Sequence, residues 1–370
     1  MSERLPILYN KKPCYDIVFT QTFDELIPEL QALGGLESRR ICIITDSKVD
    51  QIYGEEVLKQ LQGKCLKAVK YVFPSGEEHK NLDTVKGIYT FLIKEGLDRK
   101  DLLLALGGGV VGDTTGYVAA TYLRGIDFVQ IPTTLLAQTD SSIGGKTGVD
   151  FDGYKNMVGA FKMPKLVYMN LSVLKTLDDR QFFSGFAEVM KHGLIRDALL
   201  YQWLIENMYE ICDRNLDVLK EMLIRSCTVK KLVVEKDPTE QGERALLNFG
   251  HTIGHAIEKY KDFKLLHGEC IALGAVAAAY ISWKREMLSM EEYYEIRDMY
   301  VPFNLPISID DIDPKEILRL TKSDKKMESG QIKFVLLKKI GKAVLDKTVT
   351  DEEILDAISE IHFSGEDAHA

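Results

Sequence analysis

His251, His255 and His267 bring three of the chain's seven histidines into seventeen residues. In NFGHTIGHAIE the first two are four apart and share one face of a helix, as two metal ligands would. His267 opens another helical run in LLHGE, and the upstream run FAEVMKHG supplies Glu188 and Lys191, three apart and on one face. Three ligands drawn from histidine and carboxylate leave a coordination position open, the catalytic rather than structural arrangement for zinc. Taken singly, each histidine would pass for a satisfied core or cap residue and Glu188 for a solvated carboxylate. The clustering is what points to a metal.

A second chemistry lies in LLLALGGGVVGD, residues 102–113, where an apolar run of strand length breaks into glycines at the start of a helix. Gly107, Gly109 and Gly112 keep the G-x-G-x-x-G spacing that lets backbone N–H groups approach a pyrophosphate, although a turn selected only for backbone geometry has the same letters. The fingerprint usually sits on the first strand of its unit, yet roughly a hundred residues precede it here. Asp127 lies twenty residues after Gly107 but before its strand rather than at its end. Asp46, which closes ICIIT, is the better ribose-binding acid. Cations gather as well: SSIGGKTGV carries Lys146, GYKNMVGAF carries Lys155 and Asn156, and Lys230, Arg244 and Asn248 lead into the histidine cluster. Their convergence on a metal calls for an anionic ligand.

These residues need a scaffold, and 370 residues suffice for two domains. Up to residue 177, the runs ICIIT, VKYVF, LLLAL, FVQIP and KLVYMN alternate with helical patterns such as Leu82 to Glu95, the signature of a largely parallel sheet covered by helices. From Asp178 apolar residues recur at helical spacing, which predicts a helical second domain over 178–370. One late hairpin, IKFVLL and KAVLD, interrupts it, and the tail SGEDAHA reads as mobile. The net charge of −9 argues against nucleic-acid or anionic-membrane partners. Six scattered cysteines without a C-x-x-C pair read as reduced thiols of a cytoplasmic protein, and no apolar signal segment opens the chain. The longest apolar stretch, Ile271 to Trp283, is too short to span a bilayer and reads as a buried helix.

Together GGGVVGD, YLRG, PTTLLAQTDSSIGGKTGV, KNMVGAF, SGFAEVMKHG, ERALLNFGHTIGHAIE, LLHGE and SDKK resemble the 3-dehydroquinate synthases, in order from about Asp46 to Leu345. The resemblance implies an N-terminal Rossmann-like α/β domain that binds NAD, an all-α multihelical C-terminal domain that binds zinc or cobalt, and a homodimer in the cytoplasm. It implies conversion of 3-deoxy-arabino-heptulosonate 7-phosphate to 3-dehydroquinate and phosphate, the second step of the shikimate pathway. The steps would be transient oxidation by NAD, phosphate elimination, reduction and aldol closure.

By the same resemblance Glu188, His251 and His267 hold the metal, and His255 becomes a substrate contact instead of the second ligand. NAD is met by Asp46, Glu77, Lys80, Gly108, Gly109, Asp113, Thr133, Thr134, Lys146 and Lys155. The phosphorylated sugar acid is met by Asp140, Lys146, Asn156, Lys191, Lys230, Glu240, Arg244, Asn248, His255 and either Lys325 or Lys326, with Arg124 donated across the dimer to the neighbouring phosphate. The family's Asp-Glu before the Glu240 region is Asp237-Pro238 here, a harmless departure by expectation. Other readings are a different sugar-phosphate cyclase (2-deoxy-scyllo-inosose or 2-epi-5-epi-valiolone synthase), a metal-dependent polyol dehydrogenase, and a nucleotide-binding regulator. The first two have no need of Lys230 and Arg244 together as carboxylate binders, and a regulator would be expected to have lost part of the ligand set.

Overall fold

The computed structural model describes residues 3–240, 242–325 and 333–363, with the backbone only at 323–325. Contacts divide the chain into two compact units, Met1–Leu177 and Asp178–Ala370.

The first unit is built on a seven-stranded sheet. Its strands are β1 (Glu3–Tyr9), β2 (Lys12–Thr20), β3 (Arg40–Asp46), β4 (Lys67–Phe73), β5 (Leu102–Gly107), β6 (Asp127–Pro132) and β9 (Leu166–Asn170), in the order β1-β2-β9-β6-β5-β3-β4. Every neighbouring pair is parallel except β1 with β2. Both faces are covered, so the central strands read as unbroken apolar runs. Leu102, Leu104 and Leu106 enter one core with Ile41 and Ile43, while Leu103 and Ala105 enter the other with Cys42 and Ile44. The chain steps from β3 outward to β4 and then back across to β5, so the strand order reverses between β3 and β5. Ligands of such sheets bind in the crevice at the carboxyl ends where that reversal occurs. There Asp46 ends β3, and the glycine-rich turn ends its neighbour β5.

Two strand pairs depart from the sequence reading. The N-terminal hairpin β1–β2 went unpredicted because Pro6 and interleaved charge disguise β1, which the edge position tolerates. The segment that carries Lys146, Lys155 and Asn156, for which no strand was expected, is an antiparallel hairpin of β7 (Lys146–Phe151) and β8 (Tyr154–Phe161). A Cβ on Gly159 would lie 2.4 Å from the Thr147 carbonyl oxygen, so glycine there admits the partner backbone.

The second unit is helical apart from one hairpin, β10 (Phe334–Lys339) with β11 (Lys342–Asp346), as the sequence reading expects. Its principal helices are Asp179–Arg196, Leu216–Lys236, His251–Tyr260 and His267–Lys284. Asp178 and Asn215 cap the first two, accepting from Gln181 N–H and from Asp217 and Val218 N–H respectively. The His267–Lys284 helix is buried along most of its length, and among the described residues no helix is long and apolar enough to cross a membrane. The tail SGEDAHA lies outside the described residues.

Candidate functional site

Glu188 is fully buried on the Asp179–Arg196 helix, with its carboxylate 3.6 Å from His251 Nε2 and 3.5 Å from His267 Nε2. Lys191, one turn along, forms an ion pair with it. Neither Glu188 oxygen meets a donor in hydrogen-bond geometry, which for a buried carboxylate is the mark of a position built for something else. His251 Nδ1 lies 3.0 Å from the Phe249 carbonyl, which can only accept, so the proton sits on Nδ1 and the Nε2 lone pair faces Glu188. His267 Nδ1 faces the buried carboxylate of Glu258 at 3.8 Å. Two imidazole Nε2 atoms and one carboxylate converging in this way fit a divalent metal of the zinc or cobalt class.

The electrostatics agree with that geometry. Burial pushes the Glu188 carboxyl upward, yet Lys191 and the two imidazoles outweigh it and hold it well below the usual range. Burial and Lys191 depress His251 far below an ordinary imidazole. Burial also opposes the charge on His267, but the carboxylates of Glu188 and Glu258 overcome it and push that imidazole up to about 9.

The histidine spacing is only half of the story. His255 stands one turn beyond His251 with its ring 5.1 Å away, and it groups with Glu258 and His267 instead of with Glu188. Four residues of helix carry it roughly 6 Å along the axis. Helix packing puts His267 in its place. A Cβ on Gly268 would lie 1.8 Å from the Ser184 carbonyl oxygen, and one on Gly274 would lie 1.9 Å from the Gly250 carbonyl oxygen. Gly250 itself has φ +79, open to glycine at little cost. Backbone therefore meets backbone among the three helices that carry Glu188, His251 and His267. Arg180 adds a two-pronged bond to Glu269 at 2.6 and 2.7 Å, tying the first turn of one helix to that of another.

In the same unit Lys191, Lys230 and Arg244 are all buried, a costly arrangement for cations that anions must offset. Arg244 Nη1 donates to the Pro238 carbonyl at 2.6 Å, and Asp237 Oδ2 accepts from Gly242 N–H at 2.7 Å and Arg244 N–H at 3.0 Å. Asp237, which the departure leaves unchanged, and the backbone carbonyl at Pro238 thus seat the arginine, so proline in place of glutamate removes neither bond. Asn248 Nδ2 donates to Glu240 Oε1 at 3.1 Å, and Glu240 turns in the left-handed region at φ 59. Lys326 lies outside the described residues, and of Lys325 only its place at the end of the Pro314–Lys325 helix is described.

In the first unit the glycine-rich turn enters the Gly109–Thr121 helix, with Gly108 at the N-cap. Gly107, Gly108, Gly109 and Gly112 have no left-handed φ; close approach accounts for them, since a Cβ on Gly112 would lie 2.7 Å from Gln130 Oε1 and one on Gly108 3.0 Å from Thr134 Cγ2. Asp113, the fifth residue of that helix, accepts from buried Lys80 Nζ at 2.7 Å, and Lys80 donates also to Asn156 Oδ1 at 2.6 Å. Burial opposes the charge on Lys80, but Asp113 and Glu77 outweigh it and raise its pKa. Glu77 lies 3.7 Å from Lys155 Nζ. Asp46 caps the turn after β3 by accepting from Lys48 and Val49 N–H.

Thr133 follows β6, and its buried hydroxyl has no hydrogen-bond partner; Thr134 Oγ1 accepts from Ala137 N–H at 3.2 Å. An open hydroxyl beside a helix N-terminus suits a polar dinucleotide. Asp140 lies in the Ala137–Ser141 turn, and exposed Lys146 opens β7. Exposed Arg124 follows Leu123 in the left-handed region, at φ 65 and 50.

Residues 70–184 match the family described as 3-dehydroquinate synthase N-terminal, and residues 185–327 match 3-dehydroquinate synthase C-terminal. The chain belongs to the 3-dehydroquinate synthase family. The 3-dehydroquinate synthase of Acetivibrio thermocellus is 46% identical over 86% of this chain and 89% of its own. That of Ruminiclostridium cellulolyticum is 43% identical over 94% and 96%. Among solved structures, 2-epi-5-epi-valiolone synthase from Streptomyces hygroscopicus subsp. jinggangensis, with NAD+ and Zn2+ bound, superposes with a TM-score of 0.87 at 28% identity, over 96% of this chain and 99% of that one. For this family member, sequence reasoning missed Glu258. Its only signal was its place three residues after His255 and seven after His251, on the same helical face.

Proposed function

We propose that this chain is a 3-dehydroquinate synthase, an NAD- and metal-dependent lyase that releases phosphate from 3-deoxy-arabino-heptulosonate 7-phosphate and closes the carbocycle. The observation that carries this reading is the convergence of Glu188, His251 and His267, with Lys191 ion-paired to Glu188 and Lys230 and Arg244 buried in the same unit, in a chain 46% identical to a curated 3-dehydroquinate synthase. Identity to the valiolone synthase is only 28%, and a neutral sugar phosphate gives Lys230 and Arg244 no carboxylate to bind.

In this reading residues 1–177 bind NAD and residues 178–370 bind metal and substrate. Bound NAD supplies reversible hydride transfer and bound zinc or cobalt supplies Lewis acidity toward the substrate hydroxyl. Glu188, His251 and His267 hold the metal, while Arg244 and Lys230 grip the carboxylate by charge-assisted hydrogen bonds. Lys191, Glu240, Asn248, His255 and a lysine of SDKK hold the sugar and its phosphate. The substrate's own phosphate takes the proton in the elimination, so these residues hold it in place and no strong protein base is required. Asp46, Glu77, Lys80, Gly108, Gly109, Asp113, Thr133, Thr134, Lys146 and Lys155 grip the dinucleotide.

The protein works as a homodimer in the cytoplasm, with Arg124 serving the neighbouring site. Leu123, Phe151, Tyr154 and Phe161, exposed on the first unit, offer apolar surface for a partner, and all six cysteines are free thiols, as in a reducing compartment.

The test is to supply the purified protein with the heptulosonate phosphate, NAD and zinc, and to identify the product by mass spectrometry. 3-Dehydroquinate should form over many turnovers per NAD. Reduced cofactor accumulating in step with product would move the protein to the polyol dehydrogenases.

A further inference from the structure

The β7–β8 hairpin holds Lys155 and Asn156 on a distorted stretch of backbone, and the Asp150 carboxylate braces it. Its turn is Asp152-Gly153, both left-handed at φ 48 and 76, the two-residue loop that joins Phe151 to its partner Tyr154. Beyond that pair the register breaks, and the next pairing is Val149 with Val158. Asp150 on one strand therefore faces Lys155, Asn156 and Met157 on the other. Asn156 lies in the left-handed region at φ 54, so its N–H has left the ladder direction. Tyr154 and Met157 are exposed, and apolar packing begins only at the next pair, Val149 with Val158.

Asp150 Oδ1 accepts the Asn156 N–H at 2.7 Å. The Asp150 N–H donates to the Lys80 carbonyl at 2.8 Å, and Lys80 Nζ donates to Asn156 Oδ1 at 2.6 Å. The three residues form a closed ring of hydrogen bonds, and Lys80 carries it on to Asp113 at 2.7 Å, on the glycine-rich helix. Bulges re-aim side chains, and one beside a ligand site needs something to hold its angle.

We infer that Asp150 is a positioning residue that fixes Asn156, whose Oδ1 in turn holds Lys80 in the orientation needed for the dinucleotide. The inference rests on the NAD-binding reading above. Asp150 acts through its Oδ1 acceptor, so Asn at this position keeps the function and Ala loses it.

The experiment is calorimetric titration of the metal-loaded protein with NAD, alongside kcat and KM. Asp150→Ala should weaken NAD binding by about tenfold or more, the loss expected for one hydrogen bond to a charged group. Asp150→Asn should stay within about threefold of wild type, since it retains the acceptor. In an Asn156→Ala background, Asp150→Ala should add little, because the residue it orients is already gone. If Asp150→Ala does not fold, Asp150→Ser, whose hydroxyl is shorter by one bond, replaces it in the comparison with Asn. Wild-type affinity in the Ala or Ser variant, an Asn variant as weak as Ala, or full additivity with Asn156→Ala each overturns the inference. Absence of NAD binding by wild type would instead sink the functional reading itself.

Discussion

At the scale of single residues, the metal cluster is a contest between a proton and a cation for one nitrogen. Without metal, Glu188 and Glu258 hold the His267 imidazole protonated up to about 9, and a metal needs that nitrogen neutral. Metal uptake at neutral pH should therefore release about one proton from His267, and zinc affinity should rise about tenfold per pH unit from 7 toward 9 before levelling. Chelator competition across that range measures it. A flat profile would show that His267 gives up no proton. The same raised pKa has a consequence for the metal-free fold. The contribution of charged His267 is fully present below the unfolded value of 6.5 and is lost as pH rises through about 9.

At the scale of elements, glycine contacts decide where the ligands meet. Gly274→Ala would put a methyl 1.9 Å from the Gly250 carbonyl oxygen, one residue before His251, so the two histidine helices must separate. Overpacking of this kind costs about 1–3 kcal/mol. The unfolding midpoint should fall, and zinc affinity should drop by about tenfold or more as the ligands lose their common focus, an effect on the scale seen when a ligand's supporting contacts are removed. Wild-type stability and affinity together would show that the helix spacing is slack. Much of this scale was legible: five parallel strands, the helical second unit and the late hairpin follow from their periodicities. The β7–β8 pair was not, because Gly148, Gly153 and Gly159 dilute the alternation that marks a strand.

At the scale of the whole molecule, the proposed homodimer makes Arg124 a residue of the other protomer's site. Arg124→Ala and Lys191→Ala should each be nearly inactive alone. After co-refolding in equal amounts, mixed dimers would pair an intact Lys191 with the partner's intact arginine in one of their two sites, so about a quarter of wild-type activity should return. No recovery in verified mixed dimers would place Arg124 in its own protomer's site.

The sequence by itself determined the chemistry: the residue types at their spacing, the family through the resemblance of its ordered motifs, and the largely parallel sheet of the first unit through apolar periodicity. Which histidine stands beside Glu188 was decided by tertiary structure, since i,i+4 spacing fixes a helical face but not which neighbouring helix presses against it. The same holds for Glu258 behind His267, for Asp237-Pro238 seating Arg244, and for Asp150 bracing Asn156. Each is a contact made where the backbone turns or helices meet, and no periodicity encodes it. Side chains can show what chemistry is available; packing selects the few that converge on one point.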